Sequence, residues 1–193
     1  VVAEANIESH GMGYGEETLA KREDYRKAHM ERNQRNVQRS FNHPSVIFWS
    51  LGNEAGYGAN FEAAYDWIKA EDPSRAVQYE QAGKTGKTDI YCPMYYGYDG
   101  CKKYSEDDSM TKPLIQCEYA HAMGNSQGGF KEYWDLVRKY SKFQGGFIWD
   151  FVDQSVRWTG KNGKMIYAYG GDFNRFDASD GNFCDNGLIS PDR

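Results

Sequence analysis

Short apolar runs alternate with longer helix-like stretches along most of this chain, and this alternation limits the possible folds more than any other feature. Nearly continuous apolar runs indicate strands that are buried on both faces, and strands that alternate with helices indicate a parallel sheet. We predict helices at about 17–41, 60–71, 102–109 and 129–140. We predict six strands, at Val1–Ile7, Val46–Leu51, Ala76–Tyr79, Asp89–Met94, Leu114–Tyr119 and Gly145–Phe151.

A doubly wound sheet and a (β/α)8 barrel both fit this order of elements. Carboxylates follow several different strands, and this favours the barrel, because barrel active sites lie at the C-terminal ends of the strands. A complete barrel takes roughly 250 residues, whereas this chain has 193. We therefore predict a single α/β domain over residues 1–193, an incomplete TIM barrel. Residues 154–193 are rich in glycine and turn signals and are predicted to form its loop-rich C-terminal end.

Charge and cysteine usage limit the partners of the chain. Its net charge is −5, and its basic residues are scattered with no polybasic run. Nucleic-acid binding usually shows a basic patch, so we predict no nucleic-acid partner. No apolar run approaches the length of a membrane span, so we predict no membrane partner. The four cysteines lack close metal or redox spacing, which favours a reducing, cytoplasmic location and leaves a periplasmic one open.

Two glutamates end apolar runs, and their positions are the main chemical signal in the chain. Glu54 ends VIFWSLGNE, and Glu118 ends KPLIQCE. Because side chains alternate along a strand, we expect Leu114, Gln116 and Glu118 to share the face that lines the barrel lumen. Taken alone, Glu118 fits a salt-bridged carboxylate as well as a catalytic one, and Glu54 fits a solvated loop carboxylate equally well. Together they match glycoside hydrolysis, which needs one carboxyl group to protonate the leaving oxygen and a second to attack or to activate water.

Other polar and aromatic residues extend this pattern. Glu8 and His10 are two residues apart at the end of the first predicted strand and could bind a divalent ion with Glu54. A simple hydrogen-bonded Glu–His pair remains open. Trp149 ends the last apolar run, where an aromatic ring suits a sugar site. Tyr95 could donate to a reacting carboxylate or simply pack.

Five segments together resemble the catalytic domain of the large bacterial β-galactosidases of glycoside hydrolase family 2. The resemblance covers essentially the whole chain and is carried by NIESHGM, NHPSVIFWSLGNEAGYG, CEYAHAMGNS, GGFIWDFVDQS and YGGDF with NFCDNGL. It implies a (β/α)8 barrel of which about strands 3 to 8 are present. It also implies hydrolysis of terminal non-reducing β-D-galactosides, such as lactose, with retention and through a covalent galactosyl-enzyme.

The resemblance assigns roles to individual residues. It makes Glu54 the acid/base and Glu118 the nucleophile. Further implied residues are Asn53, Tyr95, His121 and Trp149 in the galactose pocket, Glu8, His10 and Glu54 as Mg²⁺ ligands, and Phe183 (by its carbonyl) and Asn186 as part of a Na⁺ site. One departure is Tyr57, which stands where some relatives place a histidine.

The resemblance also implies that part of the barrel and the flanking domains lie outside these 193 residues. We therefore expect the chain alone to be weak or inactive, with the remainder of the parent polypeptide as its partner, and a homo-oligomer is possible. Two alternatives remain. One is another family 2 exo-glycosidase, such as a β-glucuronidase or β-mannosidase. The other is a catalytically inactive carbohydrate-binding fragment.

Overall fold

Five parallel strands and four helices form the framework of the chain in a computed structural model that describes residues 1–123, 127–176 and 181–193. The strands are β1 (Val2–Glu4), β2 (Phe48–Ser50), β3 (Ala76–Gln78), β4 (Leu114–Tyr119) and β5 (Phe143–Ile148). The helices are α1 (Arg26–Ser40), α2 (Ala59–Glu71), α3 (Tyr98–Glu106) and α4 (Phe130–Lys139). An antiparallel hairpin follows, formed by β6 (Val156–Thr159) and β7 (Met165–Ala168).

The strands are hydrogen-bonded in the order in which they occur along the chain. β1, β2 and β3 form one parallel ladder, in which Glu4, Ser50 and Gln78 lie side by side. β4 and β5 form a second parallel ladder. Parallel bridges through residues 90–94 join the two ladders. Sequential parallel order with intervening helices is the arrangement of a barrel wall. Within the described residues the ladder does not return from β5 to β1, so this wall is open.

The fourth predicted strand, Asp89–Met94, forms single bridges instead of a continuous ladder. Ile90 bridges Gln78, and Tyr91 bridges Leu114. The segment still bonds to both neighbours, because the Asp89 N–H donates to the Val77 carbonyl and the Cys117 N–H donates to the Pro93 carbonyl. Pro93 has no N–H to give to a ladder, and this limits the length of regular pairing. The prediction of a regular strand here was wrong.

The first predicted helix, 17–41, begins later than the sequence pattern suggested. Two 3₁₀ turns, Leu19–Lys21 and Glu23–Tyr25, precede α1. Thr18 is fully buried and its hydroxyl donates to the Ala55 carbonyl, at 2.9 Å. The N-terminal part of this stretch is therefore tied to the turn after β2, which a continuous helix would not allow.

Two apolar layers lie on opposite sides of the sheet. The outer layer joins α1 and α2 to β1–β3 and is centred on Trp49, Phe61 and Ile68, which are fully buried. Within this layer the Trp49 indole Nε1–H donates to the Asp72 carboxylate at 2.8 Å. The inner layer contains Cys92 with partly buried Cys117 packed against it, so both cysteines act as small apolar groups.

Within the described residues, none of the helices combines the length and the apolar composition that a membrane span requires.

Candidate active site

The C-terminal ends of the parallel strands open into one cleft of about 960 Å³. The turns after β1 and β2 meet there, where Glu8 bridges Asn53. The end of β4 and the residues after β5 form the facing part of the wall. The residues predicted from the sequence that line this cleft are Glu8, His10, Asn53, Glu54, Tyr95, Glu118, His121, Trp149 and Phe183. Asn186, the remaining one, does not line it.

Glu54 sits in a tightly held turn after β2. Its backbone φ is +41°, a left-handed conformation that is uncommon for a residue other than glycine. The neighbouring Asn53 N–H donates to the Ile7 carbonyl at 2.9 Å, and the Ala55 N–H donates to the Tyr79 hydroxyl at 3.2 Å. Backbone strain of this kind persists only where the surroundings over-determine it, and it is common at active sites.

Gly56 completes this turn and is expected to tolerate no side chain. Its φ is +69°, and an added Cβ would lie 2.2 Å from the Thr18 hydroxyl oxygen. Gly83 is a matched control, because its φ is +58° and an added Cβ would meet no described atom within 4 Å. We expect Gly83→Ala to cost about 1–3 kcal/mol, because a positive φ with a ψ of −147° is a backbone conformation found almost only in glycine. Gly56→Ala should cost about 1–3 kcal/mol more because of the clash.

Thermal unfolding of the two alanine variants, prepared in the same polypeptide, checks this difference. Equal unfolding midpoints for the two variants would contradict the packing described around Thr18.

The Glu118 side chain faces the cleft, but regular alternation of side chains along β4 does not explain this orientation. Leu114 packs under the outer helices, whereas Ile115 and Cys117 belong to the inner layer. Gln116 also faces outward and is fully buried, where its side-chain oxygen accepts the Tyr96 N–H at 2.8 Å. The expectation that Leu114, Gln116 and Glu118 share the lumen face was wrong.

An irregularity in the ladder between β4 and β5 explains the difference. The register shifts between Gln116 and Tyr119, so Cys117 and Glu118 both line the cleft although they are consecutive. Tyr119 turns outward, where its ring contacts Phe130 edge-on. Such irregularities re-aim side chains and are frequent near active sites.

The Glu118 carboxylate is half-buried and is held by one tyrosine. The Tyr95 hydroxyl donates to Glu118 Oε2 at 2.7 Å, and the backbone N–H of Tyr95 donates to the Glu118 carbonyl at 2.9 Å. Burial raises the pKa of Glu118, the Tyr95 hydrogen bond lowers it, and the negative charges of Glu54, Glu4 and Glu8 raise it. Glu54 and Glu118 line the same cleft.

Glu80 is a partly buried carboxyl group that is bonded to the cleft residue Glu54, and our sequence interpretation missed it. Its Oε1 accepts the backbone N–H of Glu54 at 2.7 Å. Burial raises the pKa of Glu80 to about 7, and hydrogen bonds from the backbone of Glu54 and Gln81 oppose this rise. The signal was available, because Glu80 directly follows a predicted strand, and Glu54 and Glu118 also lie at or just beyond the C-terminal ends of theirs.

Aromatic rings line the side of the cleft nearest β5. His121 packs edge-on against Phe183 with ring centroids 4.9 Å apart, and it lies 6.4 Å from the Trp149 ring. Tyr95 completes the row, 6.1 Å from His121. The Trp149 indole N–H is buried without a hydrogen-bond partner among the described protein atoms. An apolar ring face with an adjacent unpaired donor suits a ligand that is apolar on one face and rich in hydroxyls at its edge.

The predicted Mg²⁺ ligands lie near one another but do not form a closed metal site. His10 Nε2 is 3.8 Å from Glu54 Oε2, and Glu8 lines the same cleft. Among the described residues, no three His, Cys, Asp or Glu side chains are gathered closely enough to hold a metal ion. The donor types are nonetheless compatible with a divalent cation, which would also offset the repulsion between the glutamates.

The two residues predicted for Na⁺ contact each other behind the aromatic row. The Asn186 side chain is buried, and its Nδ2–H donates to the Phe183 carbonyl. Its Oδ1 is buried with no hydrogen-bond partner among the described atoms. A buried oxygen without a donor beside a backbone carbonyl is compatible with a bound cation.

The described lining of the cleft is acidic. Glu4 lies on it along with Glu8, Glu54 and Glu118, whereas no lysine or arginine of the described residues lines it. The cleft is therefore poorly suited to a negatively charged ligand and better suited to a neutral one.

Comparison with known proteins gives a consistent family assignment. The family described as "Glycosyl hydrolases family 2, TIM barrel domain" matches residues 1–193. The chain is 50% identical to the β-galactosidase of Yersinia enterocolitica, aligned over all of this chain and 19% of that protein. It is also 50% identical to the β-galactosidase of Pseudoalteromonas haloplanktis, over all of this chain and 20% of that protein. The chain thus spans about a fifth of the length of these relatives.

Solved structures show the same fold at lower identity. A β-glucuronidase from an uncultured Clostridium sp. superimposes with a TM-score of 0.58 at 18% identity, over 99% of this chain and 36% of that chain. The Ruminococcus gnavus β-glucuronidase in complex with D-glucuronic acid superimposes with a TM-score of 0.56 at 19% identity, over 87% of this chain and 33% of that chain. These similarities support the barrel fold.

Proposed function

This chain belongs to glycoside hydrolase family 2, and we propose that it supplies the catalytic glutamates of a retaining β-galactosidase. The observation that carries the proposal is that Glu54 and Glu118 line one cleft. The 50% identity to β-galactosidases over all of this chain supports the choice of substrate. Because those relatives are about five times longer, we assign the activity to the parent polypeptide.

In the first half of the proposed reaction, Glu118 attacks the anomeric carbon of a terminal β-galactoside. Glu54 gives its proton to the glycosidic oxygen as the bond to the leaving group breaks. A galactosyl ester of Glu118 remains, and the negative charge on this carboxylate is gone. The hydroxyl of Tyr95, 2.7 Å from Glu118 Oε2, orients the attacking carboxylate.

In the second half, Glu54 has lost its proton and serves as a base. It takes a proton from a water molecule, the water oxygen attacks the same anomeric carbon, and the ester bond to Glu118 breaks. Two inversions at one carbon give net retention. Galactose is released, Glu54 is protonated again, and Glu118 is again a carboxylate.

The remaining cleft residues are proposed to bind the sugar and cations. Trp149 and His121 would form the apolar floor, while Asn53 would hydrogen-bond to sugar hydroxyls. Glu8, His10 and Glu54 would hold Mg²⁺, which would supply positive charge beside the acid/base. Phe183 and Asn186 would contribute to a Na⁺ site behind the aromatic rings that line the cleft.

The acidic lining favours a galactoside over a glucuronide. A glucuronide carries a carboxylate, which would meet four glutamates and no lysine or arginine among the described cleft residues. A β-mannosidase remains the second candidate of the same family, because a mannoside is neutral.

Hydrolysis of a panel of nitrophenyl β-glycosides by the parent polypeptide and by residues 1–193 alone tests this proposal. We expect the parent to prefer the galactoside and the chain alone to be weak or inactive. Preference of the parent for the glucuronide or the mannoside would overturn the substrate assignment, and full activity of the chain alone would overturn the need for the remainder.

Replacing the tyrosine that holds the nucleophile should slow the reaction and shift its pH dependence. In Tyr95→Phe the hydrogen bond that lowers the pKa of Glu118 is lost, so this pKa rises further. Glu118 must be ionised to attack, so the acid limb of kcat/KM should move to higher pH. Loss of a hydrogen bond to a charged group should lower kcat/KM by about tenfold or more at neutral pH.

The pH profile of kcat/KM for galactoside hydrolysis by the parent polypeptide measures both effects. Tyr98→Phe, at the exposed start of α3, is the control and should leave the profile unchanged. An unmoved acid limb in Tyr95→Phe would show that this hydroxyl does not act on the nucleophile.

A further inference from the structure

Glu80 has no place in the reaction described above, yet it is bonded to the backbone of the proposed acid/base. Its Oε1 accepts the N–H of Glu54 at 2.7 Å, and its Oε2 accepts the N–H of Gln81. Both oxygens of this carboxylate therefore receive backbone donors. Glu80 is partly buried, and desolvating a carboxylate is costly unless its oxygens receive donors in this way.

The turn that carries Glu54 is anchored at three successive N–H groups, one by a residue that follows β1 and two by residues that follow β3. Asn53 is held by the carbonyl of Ile7, which follows β1, and Ala55 is held by the hydroxyl of Tyr79, which follows β3. Glu80 holds the residue between them. Of these three anchors it is the one that acts on the catalytic residue itself.

The conformation of Glu54 makes this anchor consequential. The left-handed backbone, with φ of +41°, is disfavoured for a residue with a Cβ and persists only where its surroundings enforce it. Without an acceptor for its N–H, the residue can relax toward a more common conformation. Relaxation would redirect the Cα–Cβ bond and carry the carboxyl group away from its position in the cleft.

We propose that Glu80 is a positioning residue that fixes the backbone of Glu54 and so aims its carboxyl group at the glycosidic oxygen. This inference rests on the proposed function, in which Glu54 is the acid/base. It assigns to Glu80 no contact with substrate and no proton transfer of its own. Its effect on the reaction passes through Glu54.

The dependence of the activity loss on the leaving group of the substrate distinguishes a positioning role of Glu80 from a purely structural role. A substrate with a poor leaving group, such as lactose, needs the proton from Glu54, whereas dinitrophenyl galactoside has a leaving group that departs with little help. The ratio of kcat/KM for the two substrates, measured on one preparation, does not depend on the fraction of correctly folded enzyme. Loss of folded protein alone therefore leaves this ratio unchanged.

The experiment compares Glu80→Met and Glu80→Gln with wild type in the parent polypeptide. Glu80→Met removes the acceptor, and we expect the lactose-to-dinitrophenyl ratio to fall about 10- to 100-fold, as for a misplaced catalytic group. Glu80→Gln keeps an oxygen for the Glu54 N–H, and we expect its ratio to fall by about threefold or less. Glu71→Gln, an exposed carboxylate at the end of α2, should keep the wild-type ratio.

Each other outcome overturns the inference. An unchanged ratio in Glu80→Met, an equal loss on both substrates (complete loss included), or an equally large fall in Glu80→Gln would each reject a positioning role through the Glu54 N–H. Glu54→Gln in the same assay separates this inference from the proposed function. If Glu54→Gln shows no selective loss, the acid/base assignment fails; if it does and Glu80→Met does not, only the inference fails.

Discussion

Glu118→Gln in the parent polypeptide is expected to lower kcat for β-galactoside hydrolysis by about 10⁴-fold or more. The amide has nearly the same size as the carboxylate but cannot attack the anomeric carbon, so no galactosyl ester forms. The loss should appear with good and poor leaving groups alike, because both need the nucleophile. Galactose binding should persist, since the amide still fills the position that Tyr95 contacts at 2.7 Å.

Stopped-flow hydrolysis of an aryl galactoside and galactose binding by calorimetry measure these two quantities on the same protein. Glu132→Gln, an exposed carboxylate on the outer helix α4, is the matched control and should turn over normally. Turnover within about tenfold of wild type in Glu118→Gln would remove the nucleophile assignment. Loss of galactose binding together with turnover would instead indicate a collapsed site.

Glu54→Gln is expected to give the second-largest loss, and the size of this loss should depend on the substrate. General acid catalysis contributes about 10²- to 10⁴-fold, and lactose cleavage should fall by that amount because its leaving group needs a proton. Dinitrophenyl galactoside should form the galactosyl-enzyme with little loss. Hydrolysis of that ester should then become rate-limiting, because the base for water is missing.

A burst of dinitrophenol followed by a slow steady state would reveal this change in the rate-limiting step. Wild type and the Glu132→Gln control should show no such burst of dinitrophenol under the same conditions. An equal loss on both substrates without a burst would contradict the assignment of Glu54 as acid/base, and would leave it only a structural role in the turn after β2.

The sequence was sufficient to predict that Glu54 and Glu118 meet in one cleft, although β1 and β5 end three residues earlier than predicted. Glu54 and Glu118 both terminate apolar runs, and parallel strands deliver their C-terminal ends to one side of a sheet. The same logic applies to Glu80, which directly follows the third predicted strand. Glu80 was overlooked because no motif marked it, although its position in the sequence is equivalent.

The sequence was not sufficient to predict departures from regular geometry. Alternation placed Gln116 and Glu118 on one face, whereas the shift of register between Gln116 and Tyr119 sends them to opposite sides of the wall. The left-handed conformations of Glu54 and Tyr95 are likewise invisible in the residue types. Tertiary contacts impose these conformations, and neither periodicity nor local propensity records them.

The start of α1 shows the same limitation. The charged stretch 17–41 has a helical composition throughout, yet regular helix begins only at Arg26. The preceding residues pack beneath the turn after β2, where the Thr18 hydroxyl bonds to the Ala55 carbonyl. A long-range contact of this kind overrides local preference, and a single sequence does not contain its signal.

The anomeric configuration of galactosyl azide, measured by proton NMR, tests most directly whether the carboxyl groups at positions 54 and 118 work on opposite sides of one carbon. With azide present, Glu54→Ala in the parent polypeptide should yield β-galactosyl azide. Azide attacks the galactosyl ester on Glu118 from the side of the sugar that the missing base leaves open. Glu118→Ala should yield the α-azide, because azide then enters from the side vacated by the nucleophile. Formation of the same anomer by both variants would contradict the account.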